Sequence, residues 1–413
     1  MSERDEPVGD GGGSSGAVVS GEPDRSRRRG RFFGERREGA RPPWRRALRI
    51  GAVILVVLLI AAGVAARWGV PYYAITPGNA LDVANLISVP KSATHTHRGR
   101  VILTDVELTQ LSALAYAYYY VTNRSDIVSS ADVTGGASSS QYEEQGVIDM
   151  VLARQAAAFV ALRTLGYRPR AVPVGVVVYA IEPDTPSSSA PNVGDVVTAI
   201  GGKKVAQIAD VVADLNVRTP GSTVTLTLHA LGRSRPTTRT FTVDEFYKKG
   251  SGAVLEISCR PANTRNAGAP ALSHGRVIGC LPFGGYTIFH NEGEPFSVSI
   301  QSNGIIGPSA GLSFTLGVIE KLDKKDLTGG HRVAATGTIS NDGSVGAVGG
   351  VAQKTIAVRE AGASVFLVPP SGLAAAKANA GPSLKVVAVS SIGQAIAALK
   401  RLGGQLAAPT SHP

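Results

Sequence analysis

The 413-residue sequence has only two cysteines (Cys259 and Cys280), two methionines and two tryptophans. So few cysteines exclude a small disulfide-stapled fold. No C-x-x-C and no His/Cys/Asp cluster has metal-ligand spacing, so no metal is expected. No G-x-x-x-x-G-K-[ST] segment occurs, which argues against a Walker-type phosphate loop and leaves no cofactor to expect. Charged residues make up 18% of the chain and hydrophobic residues 43%, which excludes a polyelectrolyte and a wholly disordered chain. Concentrated charge of one sign is also scarce. The formal net charge is +11, but residues 25–49 alone hold eleven arginines and two acids, net +9, while residues 1–24 are net −5 and residues 50–413 only +7. A basic surface for nucleic acid is therefore disfavoured, and the short basic block needs a different explanation.

The segment after the block supplies one. Ile50 to Ala66 are seventeen residues without a charge, flanked by Arg49 and Arg67 and by the two tryptophans, Trp44 and Trp68. With snorkelling ends, residues 47–68 suffice for one transmembrane helix with an aromatic belt. The positive-inside rule puts a disordered basic lead, residues 1–46, in the cytoplasm and the bulk of the chain outside a plasma membrane crossed once. Two further export readings stay open: a cleaved signal with small residues at Val64-Ala65-Ala66, and a twin-arginine signal around Arg45-Arg46. A buried core helix does not suit the flanking arginines. In an oxidising compartment Cys259 and Cys280 are candidates for a disulfide, which would contribute roughly 3 kcal/mol by loop-closure entropy; two buried thiols are the alternative.

Residues 71–170 read as a mixed α/β region packing on the C-terminal domain, with a strand at Arg100–Thr104 and helices over Val106–Val121 and Tyr142–Leu165. Tyr116, Tyr118, Tyr119 and Tyr120 read as an aromatic face packing on its neighbours. Residues 171–250 then give a strand at Val174–Ile181, turns at Glu182–Pro186 and Val193–Asp195, a strand at Val196–Ile200, a helix at Ile208–Leu215 and an alternating strand at Thr223–Leu228. This order resembles a bacterial protease-associated PDZ domain. The resemblance implies a peptide that adds to a sheet edge, with the loop around Gly175, Val176 and Val177 holding its carboxylate.

The chemistry-bearing segments come last. In Gly307-Pro308-Ser309-Ala310-Gly311, Pro308 suits a first helical turn, and Ser309 at the helix N-terminus would face free N–H groups that favour an oxyanion. A G-x-S-x-G nucleophile elbow needs a downstream histidine, and only His331 and His412 follow, so an α/β-hydrolase is disfavoured. A better base is Lys354, which follows Gly349-Gly350 on the first turn of a helix from about Val351 to Ala361. The helix dipole and partial burial would both lower its pKa.

These segments, with Thr336-Gly337-Thr338-Ile339, Gly343-x-Val345 and Phe366-Leu367-Val368-Pro369, resemble the proteolytic domain of Lon-type proteases over residues 251–402. With the PDZ stretch and the span, the order is similar to membrane-anchored, PDZ-containing Lon-like proteases of bacteria. The resemblance implies Ser309 as nucleophile, Lys354 as general base and Thr336 orienting the lysine, with Gly307, Pro308 and Ala310 shaping the turn. It implies an α+β fold: one N-terminal transmembrane helix, an exported α+β region with an inserted PDZ domain, a C-terminal Lon-type domain and a flexible tail at 403–413. The function expected is ATP-independent cleavage of unfolded polypeptides, with a homo-oligomeric ring as a further implication. A non-enzymatic PDZ envelope adaptor is the alternative. Ile306 stands where ATP-dependent members carry Asp, which removes one carboxylate from the neighbourhood of the pair.

Overall fold

The computed structural model describes residues 43–122, 125–181, 191–215, 217–219, 221–233, 235–247, 254–255, 259–260, 277–280, 283–294 and 296–408. Residues 1–42 of the predicted basic lead and the last residues of the tail lie outside them, while residues 43–46 of the lead are already helical. The chain divides into two units, Met1–Ile60 and Ala61–Pro413. In the first, helix α1 (Pro43–Arg67) carries the apolar run. Its Arg46–Arg67 segment is long and apolar enough to cross a membrane, and none of its apolar window is buried. The segment Ser130–Thr164 passes the same test of length and composition, but 61% of its window is buried, as in a core helix.

The second unit continues with strands β1 (Gly69–Asp82) and β2 (Arg100–Ser112), helix α2 (Ala113–Thr122), strand β3 (Asp126–Ser129) and the long helix α3 (Ser139–Thr164). Next come β4 (Arg170–Ile181), β5 (Asp195–Ile200), α4 (Ile208–Leu215), β6 (Thr223–Ala230), β7 (Thr237–Thr242) and β8 (Phe283–Glu292). The chain closes with α5 (Gly311–Leu322), β9 (Arg332–Ala335), α6 (Val351–Glu360), β10 (Val365–Val368), β11 (Lys385–Ala388) and α7 (Ile392–Arg401).

Two sheets organise this unit. The first has the order β11-β10-β9-β2-β1-β3. Strands β11, β10, β9 and β2 run parallel; β1 pairs antiparallel with β2 and β3. Where they pair in parallel the strands overlap over three or four residues that are largely apolar on both faces, as a sheet covered on both sides requires. Their alternation sorts two cores. Val101, Leu103, Val333, Ala335, Val365 and Leu367 point to one side, under α3, α5 and α7. Ile102, Ala334, Phe366 and Val368 point to the other, under α6. Prolines in β1 fall at its irregularities: the register shifts between Gly69 and Tyr73, around Pro71, and between Pro77 and Ala80.

The helix predicted over Val106–Val121 is strand as far as Ser112, and only 113–122 is helical. Pairing with β1 from Ser112 to Ile102 overrides the local helical pattern. The second sheet is antiparallel, ordered β8-β4-β5-β6-β7, with Val254–Leu255 on the outer side of β8. Its core is Val176, Val178, Val197, Ile200, Leu226, Leu228 and Phe241 under α4. Strand β8 lies beyond the predicted boundary at residue 250 yet pairs with β4 along its length.

One site expectation is corrected here. Gly175, Val176 and Val177 do not form a carboxylate-binding loop. They sit mid-strand in β4, with β8 on one side and β5 on the other, and Val176 and Val177 are fully buried. A run of buried β-branched residues marks a central strand, whose amides are already paired. Cys259 registers with Phe246 and Cys280 with Asp244 on opposite flanks of Asp244–Tyr247. The side chains of both cysteines, and with them the expected disulfide, lie outside the described residues.

Phe366 and Phe314 are fully buried, one in each core. Truncating Phe366 to alanine is expected to cost about 3–5 kcal/mol of stability, measurable as a lowered denaturant midpoint.

Candidate active site

Ser309 lies in a 3-10 turn, Pro308–Ala310, that runs directly into α5. Pro308 occupies the first position of that turn, where no N–H is needed. Gly307 before it has φ 87° and ψ 163°, a backbone that strains any residue with a Cβ. Its N–H donates to the Gly146 carbonyl of α3 at 2.7 Å, which pins the turn from one side. From the other side Gly337 N–H donates to the Ser309 carbonyl at 2.9 Å, and Leu312 N–H donates to the Gly337 carbonyl at 3.0 Å. Gly311 permits this approach: a Cβ there would stand 2.8 Å from the Ile339 nitrogen.

Lys354 enters from the opposite face of the sheet, on the first turn of α6, behind the left-handed Gly350 (φ 66°). Helix α5 covers one face and α6 the other, and their N-termini converge beyond the carboxyl end of β9. Open α/β sheets commonly place their ligands at strand carboxyl ends. Thr336 stands there, the residue after β9, with its N–H donating to the Leu367 carbonyl at 3.0 Å.

Lys354 Nζ donates to Ser309 Oγ at 2.8 Å and to Thr336 Oγ1 at 3.2 Å. Thr336 Oγ1 in turn donates to the Ser309 carbonyl at 3.3 Å. Ser309 is half-buried, Thr336 is fully buried and Lys354 is 2% exposed. Burial lowers the lysine pKa to about 8, while the Asp105 carboxylate pulls it upward. No acidic side chain forms an ion pair with Lys354 among the described residues, so desolvation of the ammonium prevails. The structure thus brings together Ser309, Lys354 and Thr336 on the Gly307-Pro308-Ala310 turn.

The pair opens into a cleft of about 740 Å³. Its wall includes Ile75, Asp105, Tyr142, Asp149, Tyr179 and Ile306. Sequence reasoning missed Asp105, a carboxylate that lines the same cleft and raises the Lys354 pKa. Reading Val106–Val121 as helix hid it, whereas β2 extended through Ser112 carries it past the lysine. It also missed the contact between Asp149 of α3 and Tyr179 of β4, where the phenol donates to the carboxylate at 3.1 Å. Burial raises both pKa values.

Elsewhere, His97, Glu320 and Asp326 bring potential ligand atoms within 4.8 Å of one another. They already have protein partners. Glu320 accepts from Leu327 N–H at 2.8 Å and from Thr328 Oγ1 at 3.2 Å, Asp326 accepts from Thr328 Oγ1 at 2.7 Å, and His97 Nε2 contacts the Asp323 carbonyl at 2.9 Å. Burial and the nearby Asp326 carboxylate push Glu320 up to about 7. The cluster ties down the loop after α5.

Residues 303–399 match the family described as the Lon protease (S16) C-terminal proteolytic domain, and residues 157–234 match the PDZ domain. At residues 303–399 the chain is thus similar to the Lon-type proteolytic domain. A Lon protease of Clostridioides difficile is 44% identical over 63 residues, which is 15% of this chain and 8% of that protein. One from Mesomycoplasma hyopneumoniae is 36% identical over 63 residues, 15% of this chain and 7% of that protein. The match therefore spans under a tenth of either relative. Among solved structures, the PDZ domain of an SdrC-like protein from Listeria monocytogenes aligns at 20% identity with a TM-score of 0.16, over 17% of this chain and 72% of that one. That similarity is too low to bear on the fold.

Asp105 holds the Lys354 pKa up, so Asp105→Asn is expected to lower it further. Rates of Ser309 labelling by a fluorophosphonate, followed against pH, would show the inflection moving to lower pH; an unmoved or rising inflection would contradict the assignment.

Proposed function

We propose that the chain is a membrane-anchored serine endopeptidase in which Ser309 is the nucleophile and Lys354 the general base. The observation that carries this reading is the 2.8 Å contact between Lys354 Nζ and Ser309 Oγ, made by a lysine that is buried and has a pKa of about 8. In the neutral lysine that contact reverses, with the hydroxyl donating to the nitrogen lone pair. As Oγ attacks a peptide carbonyl, its proton passes to Nζ, and the resulting ammonium delivers it to the departing amine. The acyl-enzyme is then released by water, activated by the same nitrogen. First-turn N–H groups at Ser309 would receive the oxyanion, since helix N-termini leave such donors unpaired. Thr336 accepts from Nζ and so holds the amine towards Oγ.

No phosphate loop is present in these 413 residues, so cleavage proceeds without ATP in this reading, and its substrates are unfolded or flexible chains. The PDZ domain recruits them. Helix α1 anchors the molecule in a plasma membrane, with the basic block at residues 25–49 on the cytoplasmic side and the PDZ and peptidase domains outside.

Ser309→Ala and Lys354→Met are each expected to abolish cleavage of an unfolded reporter by the reconstituted full chain. Loss of fluorophosphonate labelling would accompany the serine change. Cleavage undiminished in either variant would sink the pair. With the lysine pKa at about 8, kcat/KM should rise about tenfold per pH unit from pH 6 towards 8 and level off above it, because the neutral amine is the active form.

Stability supplies an independent sign. The folded-state lysine pKa lies below its unfolded value near 10.5, so the fold disfavours the charged form. That penalty, on the order of 3 kcal/mol, is present in full below about pH 8 and vanishes above about pH 10.5. At pH 7 the Lys354→Met protein should therefore be inactive yet at least as resistant to denaturant as the parent. A large loss of stability would mean that the lysine is structural.

A further inference from the structure

Helix α2 has the sequence ALAYAYYYVT, with four tyrosines and no charge, and none of its residues is buried. Leu114 and Tyr118 are exposed, Tyr120 is 72% exposed and Val121 is 81% exposed. Ten residues are too few for a helix to persist in water on propensity alone. Its tyrosines pack on one another and on Tyr72 rather than on the core. Ring centroids lie 4.9 Å apart for Tyr72–Tyr116, 6.1 Å for Tyr116–Tyr120 and 5.3 Å for Tyr118–Tyr119. The neighbours expected for this aromatic face are thus mostly other tyrosines, and the outer surface of the helix is left bare.

Its position supplies the missing partner. Ala113 N–H donates to the Trp68 carbonyl at 2.8 Å, and Ser112 registers with Gly69. Trp68, 68% exposed, closes the apolar run of α1. Helix α2 therefore begins at the level where that run ends. Tyrosine and tryptophan are the side chains of the headgroup layer, where an apolar ring and a polar tip are both satisfied.

We infer that α2 docks on lipid: it lies in the headgroup–acyl boundary of the leaflet where α1 ends, with Tyr118, Tyr120 and Val121 facing the bilayer. The occupant is lipid, because the first residue of α2 is hydrogen-bonded to Trp68, where the run proposed to span the membrane ends. This inference rests on α1 being a retained span.

The test uses the full chain reconstituted in phosphatidylcholine vesicles whose acyl chains carry bromine near the headgroup end. With only two native tryptophans, a Trp44→Phe, Trp68→Phe, Tyr120→Trp chain reports one site, and a Trp44→Phe chain reports Trp68 alone. The expected result is loss of most of the emission of both reporters in brominated vesicles relative to unbrominated ones. If Trp68 is quenched while the Tyr120→Trp reporter is not, the inference is overturned and the span stands; blue-shifted but unquenched emission would then identify a second copy of the chain as the occupant. If neither is quenched, the inference falls together with the anchored reading of α1.

Discussion

The structure depends on keeping one amine out of water. An ammonium at 2% exposure with two hydroxyls for company is poorly compensated, and the fold answers by lowering its pKa to about 8. In the proposed mechanism that shift lets Lys354 serve as the base, and at the same time it makes the lysine a burden on the folded state. Rigid surroundings are needed to hold it there. Val351 and Val358 of the same helix pack with Phe366 and Val368, and the lysine follows from the register of that packing.

Geometry does the rest. A sheet covered on both faces brings helices from opposite sides to one set of strand ends, so the serine and the lysine need share no element and no stretch of sequence. Thr336 joins them because a strand between the two faces ends there. Its hydroxyl touches the amine, and it donates to the carbonyl of the serine. The Pro308–Ala310 turn is also stitched to α3 through Gly146, and α3 meets the PDZ-type sheet through Asp149 and Tyr179. One helix thus holds both the turn that carries Ser309 and the second sheet through polar contacts.

What could be read in the sequence was what is encoded locally. Helix α4 falls at the expected 208–215, and the start of α6 is marked by Gly349-Gly350 as foreseen. The turn at Pro308-Ser309 was legible because proline and glycine impose their own backbone angles. The start of α3 could have been set at Ser139 from the capping box of Ser138 and Gln141, a signal that went unused. Long-range pairing was not legible. Strand β1 draws residues 106–112 out of a helical pattern, β8 crosses from beyond residue 250 to flank β4, and together they displace the expected carboxylate loop and reveal Asp105. Such pairings depend on partners tens to more than a hundred residues away, which a window of periodicity does not contain.

Strand β1 starts one residue after Trp68, and Ile75 in that same strand lines the cleft. Seven residues of extended chain reach at most about 24 Å. With α1 as an anchor, this wall of the cleft is on a leash shorter than the bilayer is thick. The peptidase could then survey only a thin shell of space above the membrane. Proximity to the lipid surface, as much as sequence around the scissile bond, would decide which chains it meets.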